Sequence, residues 1–425
     1  MDEGCAVNVG DMTSMRLKMA MLLGVLTGLL VGVAQAEGHV HWVASWTSSQ
    51  QIPEAQNALP AEELTDATIR QIVHLSLGGG NFRIHLSNVF GTSPLLVSSV
   101  HMTRPVSLVS SAIDAATDRV VTFGGSSQVT IPAGAEYVSD GVQFHADALS
   151  SLAITLHIDK APAQQTGHPG SRATSYVVHG DQVTASVFHE PKTFDHWEII
   201  SGVDVQGTAK SLAIIALGDS ITDGHGAGVN ANERWTDYLS RRLQQSKRTR
   251  EFAVLNEGIG GNHLLTDGLG PNALARFDRD VLAPAGVRYV LVLEGINDLG
   301  GLARQGGATP EQHRDLVQAM EGAYSQIIQR AHDHGLKVIG GTISPFLGSG
   351  YYHPDAASEA DRQQVNAWIR AAGHFDAFVD FDKLTADPKH QDKLAPEFDS
   401  GDHLHPSPKG YEAMADGVCL SLFSK

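Results

Sequence analysis

"SLAIIALGDSITDG", Ser211 to Gly224, decides the fold. Its first seven residues form an apolar run without alternation, and the run stops abruptly at small, turn-forming residues. A strand with both faces apolar must be covered on both sides, which is the condition of a parallel sheet flanked by helices. Four further runs repeat the pattern: "FAVLN" (252 to 256), "YVLVLEG" (289 to 295), "KVIGGTI" (337 to 343) and "AFVDF" (377 to 381). Helical stretches separate them, as in Trp235, Tyr238, Leu239 and Leu243, spaced i, i+3, i+4 and i+8. Strand alternating with helix predicts an α/β fold with right-handed crossovers, whose sites gather at the carboxyl ends of the strands.

Upstream the periodicity changes. From about Val40 to Val205 the chain reads as short β-rich runs broken by Gly, Pro, Asn and Asp, among them "RQIVHLSL", "NFRIHLSNVF" and "LAITLHID". Phe82, Ile84 and Leu86 alternate with polar residues, as in antiparallel strands with one buried face, so an all-β sandwich is expected. Trp42 and Trp46, evenly spaced in one strand, are expected on one face in its core. A polar, Gly-containing connection at residues 202–210 marks the boundary. The expected organisation is a signal peptide over residues 1–36, a β-sandwich domain over 37–205 and a catalytic domain over 206–425.

The signal rests on Arg16 and Lys18 ahead of an apolar run from Met19 to Val33 and the small-residue cleavage pattern Ala34-Gln35-Ala36. The run is shorter than the ~20 residues of a spanning helix, so a secreted or periplasmic protein without a membrane anchor is expected. Cys5 would leave with the signal. That leaves Cys419, which is expected as a buried thiol in a terminal helix with no disulfide partner. A net charge of −17 over 425 residues argues against nucleic acid as a partner, because phosphates call for a basic surface.

Four loops at the predicted strand ends carry chemistry. The first places Ser220 on the turn after its strand. The second, "NEGIGGNHLL" (256 to 265), offers backbone N–H groups at Gly258, Gly260 and Gly261 that a ligand can approach closely. The third, "EGINDLGG" (294 to 301), presents the neutral amide of Asn297. The last, "GDHLHPSPKG" (401 to 410), contains Asp402-x-x-His405. A serine hydroxyl needs a base, and an imidazole needs a carboxylate on its other nitrogen, so Ser220, His405 and Asp402 form a candidate nucleophile, base and acid. The Ser220 N–H, the Gly261 N–H and the Asn297 amide are neutral donors suited to an oxyanion. A metal reading would draw on Asp399, Asp402, His403 and His405, mostly from one short loop, whereas the serine reading uses all four loops. No metal and no cofactor are expected.

The ordered blocks "GDSIT", "NEGIGG", "GIND" and "DHLHP" resemble the SGNH, or GDSL-type, hydrolases over roughly Leu212 to Lys425. The resemblance implies a three-layer α/β/α, flavodoxin-like domain and serine esterase activity. It places Ser220 as nucleophile, Gly261 and Asn297 as oxyanion-hole donors, and Asp402 and His405 as acid and base. A shift of one residue would exchange Gly261 for Gly260. The β-rich half, with "WVASWTSSQ" leading in, looks like the accessory domain of secreted two-domain bacterial members assigned as acetylxylan-esterase-like. The implied function is hydrolysis of short-chain acyl esters, of small molecules or polysaccharides. Leu264, Leu265 and Leu269 are candidates for the acyl pocket. Lipase, arylesterase and thioesterase activities are alternatives within the family, and a carbohydrate-binding surface protein with incidental hydrolysis is one outside it.

Overall fold

The computed structural model describes residues 40–423, so the expected signal segment, residues 1–36, lies outside the described residues. The β-rich half consists of two larger antiparallel sheets and a two-stranded one, Gly167–His168 with Trp197–Glu198. One orders the strands Trp42–Thr47, Ile200–Gln206, Gly79–Ser87 and Glu136–Val138, with Val142–Ala146 also paired to Gly79–Ser87. The other centres on Ala67–His74, Ser151–Ile158 and Leu95–Pro105. Phe82, Ile84 and Leu86 are each fully buried between polar neighbours, as the alternation predicts.

The paired tryptophans differ from expectation. The register slips between Ala44 and Trp46, and this bulge breaks the two-residue period. Trp46 is buried edge-on against Trp197, with ring centroids 4.8 Å apart. Trp42 is only half-buried, 4.8 Å beneath the Arg83 guanidinium.

The second half holds the parallel sheet. Its strands are numbered here within that sheet: β1 (Leu212–Gly218), β2 (Phe252–Gly258), β3 (Val287–Leu293), β4 (Lys337–Gly341) and β5 (Ala377–Val379). Their order is β2-β1-β3-β4-β5, all parallel, the flavodoxin-like arrangement. Helices Trp235–Gln245 and Pro408–Asp416 pack together, as do Pro310–Asp333 and Ala356–Arg370. Ala213 to Leu217 and Val290 to Leu293 are buried throughout, as a doubly covered sheet requires. Gly218 stands level with Gly258 on β2 and with Leu293 on β3, so three strands end at one height.

Because β2 lies at the edge, its backbone groups would face water, and here the β-rich half covers them. The Ser76 hydroxyl accepts from the Val254 N–H at 2.7 Å and lies 2.7 Å from the Ser240 hydroxyl. Nearby, the Ala44 N–H donates to the Ala285 carbonyl at 2.9 Å.

Cys419 departs from expectation. It follows the last α-helix rather than lying within it, and it is half-buried rather than fully buried. Cys5 lies outside the described residues. Among the described residues no helix is long and apolar enough to cross a membrane.

Candidate active site

β1 delivers Ser220 by a turn that only particular residues permit. A Cβ on Gly218 would meet Thr222 Oγ1 at 2.3 Å and the Leu293 carbonyl oxygen at 2.5 Å, so the strand can end this tightly only at glycine. Asp219 caps the one-turn helix Ser220–Asp223 by accepting from the Ile221 N–H at 2.9 Å. The helix stops at Gly224, whose φ of 96° lies in the left-handed region. Burial pushes the Asp219 carboxyl up to about 7.

The last loop meets this turn. Ser220 Oγ lies 2.8 Å from His405 Nε2, and His405 Nδ1 lies 2.6 Å from Asp402 Oδ2. The other carboxylate oxygen accepts from the backbone N–H groups of Leu404 at 3.0 Å and His405 at 2.9 Å. Partial burial works against the Asp402 charge, but the His405 ring and these backbone donors outweigh it and hold the carboxyl well below its ordinary range. Ser220 and His405 are each 8% exposed, shielded yet open on one side to the cleft. A hydroxyl in contact with an imidazole whose far nitrogen is held by an ionised carboxylate can be activated as a nucleophile.

The second and third loops bring Gly260, Gly261 and Asn297 to the same cleft, of about 780 Å³. Gly261 has φ +72°, and a Cβ there would meet Leu269 Cδ1 at 2.7 Å, so both backbone conformation and space require glycine. The Asn297 side chain is held at both ends. Its Nδ2 donates to the Asn262 carbonyl at 2.6 Å, and its Oδ1 accepts from the Tyr352 hydroxyl at 2.5 Å. Beneath these loops, buried Arg276 donates to the carbonyls of Gly218 at 2.9 Å and Glu257 at 2.7 Å and to Asn262 Oδ1 at 2.9 Å. One guanidinium thus ties together the ends of β1 and β2 and the loop that follows.

Two of the sequence-predicted pocket residues lie elsewhere. Leu264 is fully buried in the core, and neither it nor Leu265 lines the cleft. The cause is Asp298, whose carboxylate accepts from the Leu264 N–H at 2.8 Å and the Leu265 N–H at 3.0 Å and pins this part of the loop against the helix after β3. Leu269, five residues on, does line the cleft. His403, named above only in the metal reading, is exposed and lines the rim, with Nδ1 2.5 Å from Asp399 Oδ2.

Sequence reasoning missed four contributors. His225 follows directly on "GDSITDG", and its ring packs on His405 with centroids 4.0 Å apart. Burial first, then the neighbouring His405 and Arg172, push it down to about 4. His225, Asp402 and His405 form a group whose ligand atoms lie within 4.8 Å of one another, the arrangement a metal ion would use, although Asp402 and His405 also serve Ser220. Asp223, three residues after Ser220, pairs at 2.9 Å with buried His168 from the β-rich half. Tyr352 and Arg172 complete the set. The helical spacing of Ser220 and Asp223 was a usable signal, whereas nothing in the sequence links His168 or Arg172 to residues beyond position 200.

Residues 216–413 match the GDSL-like Lipase/Acylhydrolase family. Among solved structures, the chain is similar to the acetyl xylan esterase AlAXEase, at 21% identity over 48% of this chain and 97% of that one, with a TM-score of 0.36. It is similar to Axe2, an acetylxylan esterase from Geobacillus stearothermophilus, at 21% identity over 50% and 93%, with a TM-score of 0.36. A GDSL-like lipase from Bacteroides thetaiotaomicron shows 21% identity over 50% and 88%, also with a TM-score of 0.36. A comparison with curated proteins returns no match. The matched span coincides with the parallel sheet and its strand-end loops, so the C-terminal half of the chain holds a GDSL-like lipase/acylhydrolase domain, and the chain is an ester hydrolase.

Proposed function

We propose that the chain is a serine carboxylic ester hydrolase that transfers a short acyl group first to Ser220 and then to water. The observation that carries this reading is the contact series from Ser220 Oγ to His405 Nε2 at 2.8 Å and from His405 Nδ1 to Asp402 at 2.6 Å. In the first step His405 accepts the Ser220 proton as the oxygen attacks the ester carbonyl, and the same imidazolium then protonates the departing alcohol. Asp402 stays ionised, as its lowered pKa supports, and steadies the charged ring. Water repeats the sequence on the acyl-enzyme and releases the acid. The Ser220 N–H, the Gly261 N–H and the Asn297 Nδ2 take the role of donors to the negative oxygen. Gly261 is assigned rather than Gly260 because it alone of the two adopts positive φ.

Short acyl groups fit better than long ones, since the Leu269 side chain closes against Gly261 and narrows the space beside the reacting carbonyl. The alcohol portion faces an open, polar wall that includes Gln51, Glu54 and Asn57 of the β-rich half, which suits a sugar or polysaccharide ester. The basic flank, apolar run and cleavage pattern at residues 16–36 support export to the periplasm or medium.

The test is a panel of acetyl, butyryl and long-chain esters together with acetylated xylan, assayed with wild type and Ser220→Ala. Acetyl esters are expected to be turned over fastest, and Ser220→Ala is expected to lower kcat by about 10⁴-fold or more. A Ser220→Ala protein that retained most of its rate would remove the serine mechanism.

A further inference from the structure

The β-rich half places one cation in the cleft beside the groups that handle the leaving alcohol. Arg172 lies in the loop after the short strand Gly167–His168 and has φ +49°, a conformation uncommon for a residue with a side chain. The loop is clamped on both sides of it. The Ser171 carbonyl accepts from the Arg234 guanidinium, the Arg172 carbonyl from the Asn230 N–H at 2.8 Å, and Asn230 Oδ1 from the Thr174 N–H at 2.8 Å. Strain held this firmly sets where the side chain goes.

That side chain lines the cleft. Its Nη2 donates to His225 Nδ1 at 3.3 Å, while its Nε is buried without a hydrogen-bond partner. Among the described residues it makes no ion pair. The carboxylates of the same cleft are engaged elsewhere: Asp402 with His405, Asp223 with His168, and Glu54 with the amides of Gln51 at 3.0 Å and Asn57 at 2.6 Å. A neutral His225 separates the guanidinium from His405 and offers it an acceptor rather than a competing charge.

Position decides what this cation meets. His405 must reach the oxygen of the departing alcohol, so the wall that continues outward from its ring, His225 and then Arg172, runs along the alcohol portion of the ester and not the acyl portion. The geometry points to Arg172 as a specificity residue that binds a carboxylate on that alcohol portion, which makes the substrate class acyl esters of acidic alcohols, such as an O-acylated uronate within a polysaccharide. This rests on the serine esterase reading above. A planar guanidinium with free N–H groups matches a carboxylate in two parallel hydrogen bonds, a fit that a neutral sugar hydroxyl does not reproduce.

The test compares two aryl acetates that differ in charge on the alcohol side, 4-acetoxybenzoate and its neutral methyl ester, in wild type, Arg172→Gln and Arg172→Lys. The quantity read is the ratio of kcat/KM for the anionic ester to that for the neutral one, in which intrinsic reactivity cancels between proteins. The ratio is expected to fall about tenfold in Arg172→Gln, to be partly kept in Arg172→Lys, and to fall in wild type as salt is raised. A ratio that is the same in all three proteins and insensitive to salt would overturn the assignment. Equal losses on both esters would do so as well, since they would mean that Arg172 only braces His225. Should wild type hydrolyse neither ester, the esterase reading fails first and this inference with it, an outcome visible before any variant is made. The wild-type salt series needs no variant to fold.

Discussion

The two halves of the molecule reach the same cleft by different means. The α/β half places Ser220, Gly261 and Asn297 just beyond strands of one sheet, where Gly218, Gly258 and Leu293 end at a single height and Arg276 ties the first two strand ends together, and its last loop brings His405 and Asp402 to them. The β-rich half contributes Gln51, Glu54, Asn57 and Arg172 from irregular segments between its strands. These have no common register. They are held by single buried contacts across the interface, such as His168 with Asp223 and Ser49 Oγ with Glu257 at 2.7 Å. Reacting atoms therefore take their alignment from a sheet, and recognition groups take theirs from the docking of one half on the other.

The contrast is broken most severely at the docking contact. His168→Ala leaves the Asp223 carboxylate buried without its imidazole, and an uncompensated buried charge typically costs about 3–5 kcal/mol. Urea unfolding should register that loss, and a change below about 1 kcal/mol would mean that the His168–Asp223 pair does not hold the halves together. Next in size is the α/β half's own alignment. Asn297→Ala is expected to lower kcat by about 100-fold, and Tyr352→Phe, which removes only the hydroxyl that orients the amide, by about tenfold or less. Equal losses in the two variants would show that the orientation of the amide matters as much as its presence.

The smallest effect separates the halves by pH. In the β-rich half both nitrogens of the His85 ring meet carboxylates, Glu136 at 3.0 Å and Asp204 at 3.0 Å. Burial opposes the charged ring, but these partners raise it to about 9. A folded-state value above the unfolded ~6.5 gives stability that is complete below about 6.5 and is lost as pH rises through about 9. Glu136 is partly solvent-exposed, so about 1 kcal/mol is expected. In the α/β half Asp219, raised to about 7, also lowers stability with rising pH, but between ~3.8 and about 7. The gap in stability between wild type and His85→Asn should be widest below about pH 6.5 and close as pH rises through about 9; a gap that stayed constant over that range would rule out this assignment.

The same contrast explains what the sequence could reveal. Continuous apolar runs declared the parallel strands, because a doubly covered strand leaves no position for a polar residue. Ser220, Gly261 and Asn297 were legible because each lies within a few residues of such a run, and Asp402 and His405 because their three-residue spacing pairs a carboxylate with an imidazole on one turn. Leu264 was misread because its environment depends on the carboxylate of Asp298, more than thirty residues away, bonding to its backbone. Trp42 and Trp46 were misplaced because a bulge leaves no trace in the alternation. Arg172 and His168 were invisible because their meaning lies in partners such as His225 and Asp223, more than fifty residues on, reached through no local pattern.

The pairing of Trp42–Thr47 with Ile200–Gln206 also bears on how the chain assembles. A ribosome releases the earlier strand long before its neighbour exists, so the segment "WVASWT" must wait, hydrogen-bonding groups unmatched, until nearly the whole β-rich half has followed. Closure across so much intervening chain is slow relative to helix–strand crossovers, and the waiting edge is where newly made molecules would adhere to one another. Yield on expression should therefore respond to substitutions in that hexapeptide more sharply than the stability of the finished protein does.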